Sequence, residues 1–455
     1  MLKRIWVGSI AYCFIFFALG ADRYIAHRSA EDLGIFYQSI ASVFGGFHNT
    51  IEGASHFTVH FSPILYLLAP LVWLTHSPFP LIAIQAAANA CVAPALFLIA
   101  RKRVDERTAA LIATVAFLYP PLCGVTFTDF HENGLVPAAI VWLLYALDAR
   151  KFGLALLFAL AALSIKEDQA LFVALLAFGA FFYYGRKGDA KGQRWAIATL
   201  CLSIVTFIGY FEVVRPLAGA TGGWHPSVFY TQTKPEAVVS LSRALSDRLG
   251  YLLLAFAPLA FLPLRSPVAL LAVAPFAEIL LSRAPVTYTM GQHYAAVWIP
   301  YVLVAFVLGA CTLYRSRPRA GARTVLACMA VSILVFLVAN PLHPRYFLRM
   351  PQARDAQLDA FLARLPSNAE IGTQEEAYTH MGFFPGATLG MEQYPQFALF
   401  DWQYPESNWV IRDGPKIQED VIRKRYRVVR ATEGIVLYER IGAKPADAAR
   451  TNPSW

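Results

Sequence analysis

The amino-acid sequence predicts an all-α polytopic membrane protein with a small α/β domain at its C-terminal end. Three observations carry that expectation. Hydrophobic residues fill 57% of the 455 positions and charged residues only 15%, against about 25% charged in an ordinary soluble chain. Long apolar runs recur through roughly the first 340 residues, without the alternation of a transmembrane barrel. From about residue 351 the composition turns to that of a soluble domain.

The first run, Ile5–Ala21, follows Lys3-Arg4 and closes on Ala18-Leu19-Gly20-Ala21, imitating a signal peptide with a small-residue cleavage site. Its length of about 17 residues just spans a hydrocarbon core of roughly 30 Å. With many spans behind it, an uncleaved first helix is the expectation. Further runs fall at about 61–76, 79–100, 108–127, 134–148, 152–165, 169–184, 195–214, 249–264, 267–282, 294–313 and 323–340. Basic residues gather in the short connections: Arg101-Lys102-Arg103, Arg150-Lys151, Arg186-Lys187 with Lys191 and Arg194, and Arg315, Arg317, Arg319 and Arg323. That is the positive-inside pattern and assigns these loops and the N-terminus to the cytoplasm.

Counting sides from there permits one crossing between 61 and 100. The run 61–76 opens on His60-Phe61-Ser62-Pro63 and is interrupted by Pro70, so it reads as a helix at, or dipping into, the outer interface. About eleven crossings of a plasma (inner) membrane remain. The stretches 22–60, 215–247 and 283–293 and everything from 341 onward then lie outside. Two domains follow: a transmembrane domain, 1–345, with the external loop 22–60, and an extracytoplasmic α/β domain, 351–455. In the latter, Ala356–Leu365 and Lys416–Lys424 read as helices. Ala398–Trp402, Arg427–Arg430 and Gly434–Glu439 read as strands, with Thr432-Glu433-Gly434 as a hairpin turn.

The net charge of +9 does not point to nucleic acid, because the basic residues sit in the membrane loops. The six cysteines lie in or beside apolar runs with no CxxC spacing, which supports neither a disulfide framework nor a zinc ribbon. No internal repeat is evident, which weakens a transporter built from inverted halves.

Ionisable groups beside apolar spans are costly, about 2.5–3.5 kcal/mol each at bilayer depth even on lenient scales, and mark a candidate site. Glu31-Asp32 opens the first external loop; Asp32 is either a general base toward a hydroxyl acceptor or an N-cap for a helix beginning at Leu33. His56 and His60 are one helical turn apart, suited to phosphate or metal, or else two interfacial histidines with wet tips. Asp129, His131 and Glu132 can hold sugar hydroxyls or a divalent metal, or form a cap and ion-pair network. Lys166-Glu167-Asp168 splits the stretch 152–184. Lys166 is a compact cation for phosphate, unless Glu167 or Asp168 satisfies it. Arg215, His225, His293 and Arg345 are external basic candidates for an anionic lipid head group, and Glu278 within its apolar run requires a partner.

Asp32-Leu33-Gly34-Ile35-Phe36-Tyr37-Gln38, His60-Phe61-Ser62-Pro63-Ile64-Leu65, Gln85, Pro94, Tyr119-Pro120, Asp129-Phe130-His131-Glu132, Lys166-Glu167-Asp168 and His293-Tyr294 occur in the order of one family. Over roughly residues 20–310, and more loosely beyond, the chain resembles the bacterial and archaeal membrane proteins grouped as domain of unknown function 2079. That family stands near the GT-C glycosyltransferases, multi-span enzymes with polyprenyl-phosphate sugar donors. The resemblance implies a GT-C-like fold and a catalytic acid in the first external loop, here Asp32 with Glu31 beside it. It also implies a lipid-linked sugar donor. Where GT-C enzymes often carry His-Pro-Pro, this chain has His60-Phe61-Ser62-Pro63. The expectation is an inverting glycosyl transfer at the outer face, with a divalent metal optional. A transporter or flippase of a polar solute and an envelope scaffold are the other two readings.

Overall fold

The computed structural model describes residues 1–221, 241–342, 348–391, 394–404 and 407–442; His225 and Arg345 lie outside them. The first apolar run forms one proline-free helix, α1 (Leu2–Ile25). Val7, Phe14 and Ile15 on its outer face are exposed, as are Leu326, Leu334, Leu337 and Val338 on the helix Pro318–Ala339. Apolar faces of this extent need lipid rather than water against them.

Among the described residues, six helices are long and apolar enough to cross a membrane, or seven if the bent pair Glu106–Leu118 and Pro120–Phe127 is one span. Length and composition alone thus give fewer full crossings than the eleven or so expected, because several runs are cut short. Tyr119 shows why. Proline excludes the residue before it from helical geometry, Tyr119 precedes Pro120 and is extended at φ −70°, ψ 110°, and the helix axis turns by 50° there. Leu65–Thr75, with Pro70 inside it, has 11 residues. At 1.5 Å per residue that is about 16 Å, half a bilayer core, as suits the interfacial reading of 61–76. Lys166-Glu167 likewise separates the helices Phe152–Leu163 and Asp168–Arg186.

The two ends of the bundle differ in chemistry. At one, the expected cytoplasmic loops meet: the N-terminal amine lies 3.4 Å from Glu106, Lys102 is 3.1 Å from Asp148, which Arg103 also pairs, and Arg150 is 2.5 Å from Asp189. At the other end the four expected external stretches meet. There the loop after α1 carries a helix, α2 (Glu31–Ala41), and a two-stranded hairpin, β1 (His48–Asn49) with β2 (Ala54–Ser55).

The C-terminal domain covers that second end. Its sheet runs β4 (Ala387–Leu389), β3 (Ile371–Thr373), β5 (Phe397–Asp401), β7 (Ile435–Arg440), β6 (Tyr426–Thr432). The contacts of β3 are parallel, and those of β7 with β5 and β6 are antiparallel. The β6–β7 turn has positive φ at both Glu433 (46°) and Gly434 (88°), the primed geometry that matches strand twist. Helices Ala353–Leu362 and Asn408–Ile422 stand where helices were expected, each starting earlier.

Candidate active site

Asp32 sits in the first turn of α2, whose N-terminus favours negative charge. It is not the N-cap: the helix starts at Glu31, the cap position is Ala30, and no side chain caps it. The carboxylate instead reaches His293, Oδ2 to Nδ1 3.3 Å, with the Asp32 side chain 30% exposed. Glu31 is exposed beside it.

From His293 the site continues through stacked rings. His293 and His131 lie 3.6 Å apart, centroid to centroid, at 16°. His131 Nδ1 is 2.8 Å from Glu132 Oε2, and Glu132 Oε1 is 3.7 Å from Lys166 Nζ. Four segments separated by up to 261 residues thus form one line: Asp32, His293, His131, Glu132, Lys166. Glu132 is fully buried, and neither of its oxygens has a hydrogen-bond donor.

The charges follow from this packing. Burial raises the Asp32 carboxyl, but the hydrogen bond and charge of His293, with that of His131, overcome it and hold the group at about 2. Burial lowers His131 to about 4, against the pull of Glu132. Burial alone would raise Glu132; His131 and Lys166 hold it well below the usual carboxylate range. Two carboxylates and one ammonium therefore stand ionised along a line of imidazoles.

Other expected site residues frame this line. His60 Nδ1 is 2.9 Å from Glu167 Oε1, and the Phe61 amide donates to Glu167 Oε2 at 2.9 Å, which ties the chain at 60–61 to the break that carries Lys166. His56 takes Glu52 at 3.1 Å, a partner the sequence reading missed. The two histidines each hold their own carboxylate, with rings 5.7 Å apart. Arg215 Nε donates to the Thr58 carbonyl at 2.9 Å.

Asp129 is placed differently from its neighbours. Its Oδ2 accepts from Arg23 at 2.7 Å and from the Ala30 amide at 2.5 Å. The carboxylate thereby pins the end of α1 and the start of α2. Asp129, His131 and Glu132 do not assemble as a metal-ligand set among the described residues, because Arg23 takes the first of them. Arg23 is not among the residues singled out in the sequence; the signal for it is the need of a buried Asp129 for a cation.

Gln85 organises the segment that carries His131. Its amide donates to the carbonyls of Val125, Thr126 and Thr128, and its oxygen accepts from the His131 amide at 3.2 Å. A glycine is required at 134, where a Cβ would lie 2.4 Å from the Gln85 oxygen. The His293 loop is seated as tightly: a Cβ on Gly124 would lie 2.5 Å from the Gly291 Cα. Between these segments is a cleft of about 50 Å³ lined by Arg23, Asp32, Asp129 and Gln292 among others.

A family model described as "Predicted membrane protein (DUF2079)" matches residues 28–376. Among solved structures the chain is similar to ArnT from Cupriavidus metallidurans bound to undecaprenyl phosphate, at 11% identity and TM-score 0.59, over 96% of this chain and 99% of that one. The apo state of that protein gives TM-score 0.56 at 11% identity, over 95% and 98%. No curated protein matches in sequence. At such identity the likeness is one of fold: a helical membrane bundle with a small C-terminal sheet domain, as the residue pattern led us to expect.

Proposed function

The chain belongs to the DUF2079 family of predicted membrane proteins, and on that premise we propose that it is an inverting glycosyltransferase moving a sugar from a polyprenyl-phosphate donor to an acceptor hydroxyl at the outer membrane face. The observation that carries the proposal is the line from Asp32 to Lys166. It links a partly exposed carboxylate to a buried ammonium through His293, His131 and Glu132. The ArnT-like fold supports the donor class, since that neighbour was captured with undecaprenyl phosphate.

In this reaction the acceptor hydroxyl attacks the anomeric carbon from the side opposite the phosphate. The carbon–oxygen bond to the phosphate breaks, and its electron pair leaves on the phosphate oxygen. Asp32 takes the hydroxyl proton as the new bond forms. Lys166 stabilises the negative charge on the departing phosphate, where a fixed cation away from bulk water counts most. Glu132 has acceptor capacity to spare and holds donor-sugar hydroxyls together with His131. Arg215 and His60 present a basic rim toward the lipid phosphate, with His56 buried behind them on Glu52, and Glu167 ties His60 to the break that carries Lys166. The N-terminus and basic loops are cytoplasmic in this scheme, and the C-terminal domain is extracytoplasmic.

The test is purified protein in lipid nanodiscs with a panel of radiolabelled polyprenyl-phosphate sugars, with Asp32→Asn alongside. Transfer by the wild type that falls by about 10²-fold or more in Asp32→Asn, with the variant still folded and membrane-inserted, is the expected result. A folded wild type that transfers from no donor, or an Asp32→Asn that keeps its rate, refutes the proposal.

A further inference from the structure

Away from that line, the last turn of α1 meets the C-terminal domain through two imidazoles and a carboxylate. His27 follows the end of α1 with φ +51°, a left-handed conformation uncommon outside glycine and worth a functional reading where it occurs. The twist turns its ring away from the helix and into the domain, where it is 1% exposed. His27 Nδ1 lies 3.2 Å from the Glu376 carbonyl and Nε2 lies 3.0 Å from Asp359 Oδ1. His380 Nε2 lies 3.1 Å from the Tyr24 carbonyl, and its Nδ1 lies 3.8 Å from the same Asp359 oxygen. The two rings stack at 3.8 Å, with Tyr24 stacked on His380 at 4.0 Å.

A carbonyl only accepts, so the nitrogen facing it must carry the hydrogen in each ring. The opposite nitrogens, His27 Nε2 and His380 Nδ1, are then bare lone pairs in the neutral imidazoles. Both point at an anionic oxygen. Three acceptors converging without a donor repel one another unless something positive lies between them. One proton on His27 would satisfy its contact with Asp359 and leave His380 unmatched.

A metal ion satisfies all three. Histidines that bind metal usually donate their second N–H to a carbonyl or carboxylate, which fixes the tautomer; both rings here do so. The three ligand atoms lie within 4.8 Å of one another. With bonds of about 2.1 Å, tetrahedral zinc holds its ligands roughly 3.4 Å apart, and the two separations from Asp359, 3.0 and 3.8 Å, straddle that value. Two imidazoles and one carboxylate suit zinc better than magnesium or calcium.

We propose that His27, Asp359 and His380 form a binding site for a divalent transition-metal ion, zinc above all, that clasps the C-terminal domain to the end of the first span. The Asp359 side chain is 55% exposed, so the ion enters from solvent and keeps a water in its fourth position. The site is separate from the Asp32–Lys166 line and stands whether or not sugar transfer is the activity.

The experiment uses the full chain, untagged, stripped with chelator and titrated with zinc chloride. After desalting, the wild type retains about one zinc per chain, zinc raises its Tm by several degrees, and cobalt gives the visible absorption of a tetrahedral site. Asp359→Ala removes an exposed side chain that the fold tolerates, and His380→Gln keeps a donor for the Tyr24 carbonyl. Both weaken zinc binding at least about tenfold, while His131→Ala keeps the zinc. The proposal is overturned if the wild type retains no zinc and shows no Tm shift. It is equally overturned if the two variants bind as tightly as the wild type, or if His131→Ala abolishes binding.

Discussion

Lys166 and Glu132 show how a single residue serves both the fold and the proposed chemistry. Glu132 is fully buried, and His131 and Lys166 are the basic groups nearest its oxygens among the described residues. Lys166→Ala strands that carboxylate, an effect on the order of 3–5 kcal/mol, so the single variant is expected to lose much of its stability. Lys166→Ala combined with Glu132→Gln is expected to recover most of the Tm and still bind polyprenyl phosphate weakly in a donor titration. Wild-type affinity in the double variant would remove Lys166 from the phosphate role. Asp32 allows a second check. Its carboxyl, ordinarily at 3.8, is held at about 2, and a lowered folded pKa gives stability that is present above the unfolded value and lost as pH falls through the folded one. The Tm difference between wild type and Asp32→Asn is therefore expected to be flat from about pH 8 to 5 and to shrink only below about pH 4. The residue types of this line were legible in the sequence because ionisable groups beside apolar runs are rare. Their pairings were not, since the partners lie 261 residues apart for Asp32 and His293 and no local pattern links them.

Short elements hold those residues in place. The segment carrying Asp129 to Glu132 has no regular structure of its own length to fix it, and Gln85 on the helix Phe79–Ala90 supplies the missing partners for its backbone. Gln85→Ala leaves several buried carbonyls unpaired, at about 1–3 kcal/mol for each group left unsatisfied. A Tm lower by several degrees, with reduced transfer, is the expected outcome. Gly124→Ala is a finer probe. The added Cβ meets backbone at Gly291, which cannot rotate aside, so the loop bearing His293 must shift. Displacement of a reacting group by about 1 Å commonly costs 10²-fold in rate, and loss of transfer at nearly normal expression is expected. At this scale the sequence revealed the long helices and the β6–β7 hairpin, whose patterns run over many residues. It did not reveal β3 and β4, which have three residues each and no period to recognise, and it overran the helices broken at Tyr119.

At the scale of the whole molecule, the C-terminal domain grips α2, the helix that carries Asp32. Gln38 donates to the carbonyls of Phe384 and Ala387 and accepts from the Tyr378 hydroxyl and the Thr50 amide. Gly34 lies under the Tyr378 ring, and Gly382 lies under Tyr37, each with a Cβ position 2.4 Å from the ring. Deletion of 351–455 is therefore expected to abolish transfer, although α2 and its Asp32 remain in the chain. An intact rate in the truncated, membrane-inserted protein would show that α2 needs no such support. The division into a bundle and a soluble appendage was visible in composition. The grip of that appendage on the first loop was not, because it rests on contacts between residues some 340 apart, which no local pattern links.

That grip fixes an order of events during synthesis. The helix seized by Gln38 leaves the ribosome near the beginning of translation, and its holders at Phe384 and Ala387 emerge some 346 residues later. Until those residues are made and folded, a nascent copy lacks the contacts that hold α2 against the C-terminal sheet. A chain cut short before Phe384 would thus carry α2 without these partners, and their pairing can form only late in synthesis.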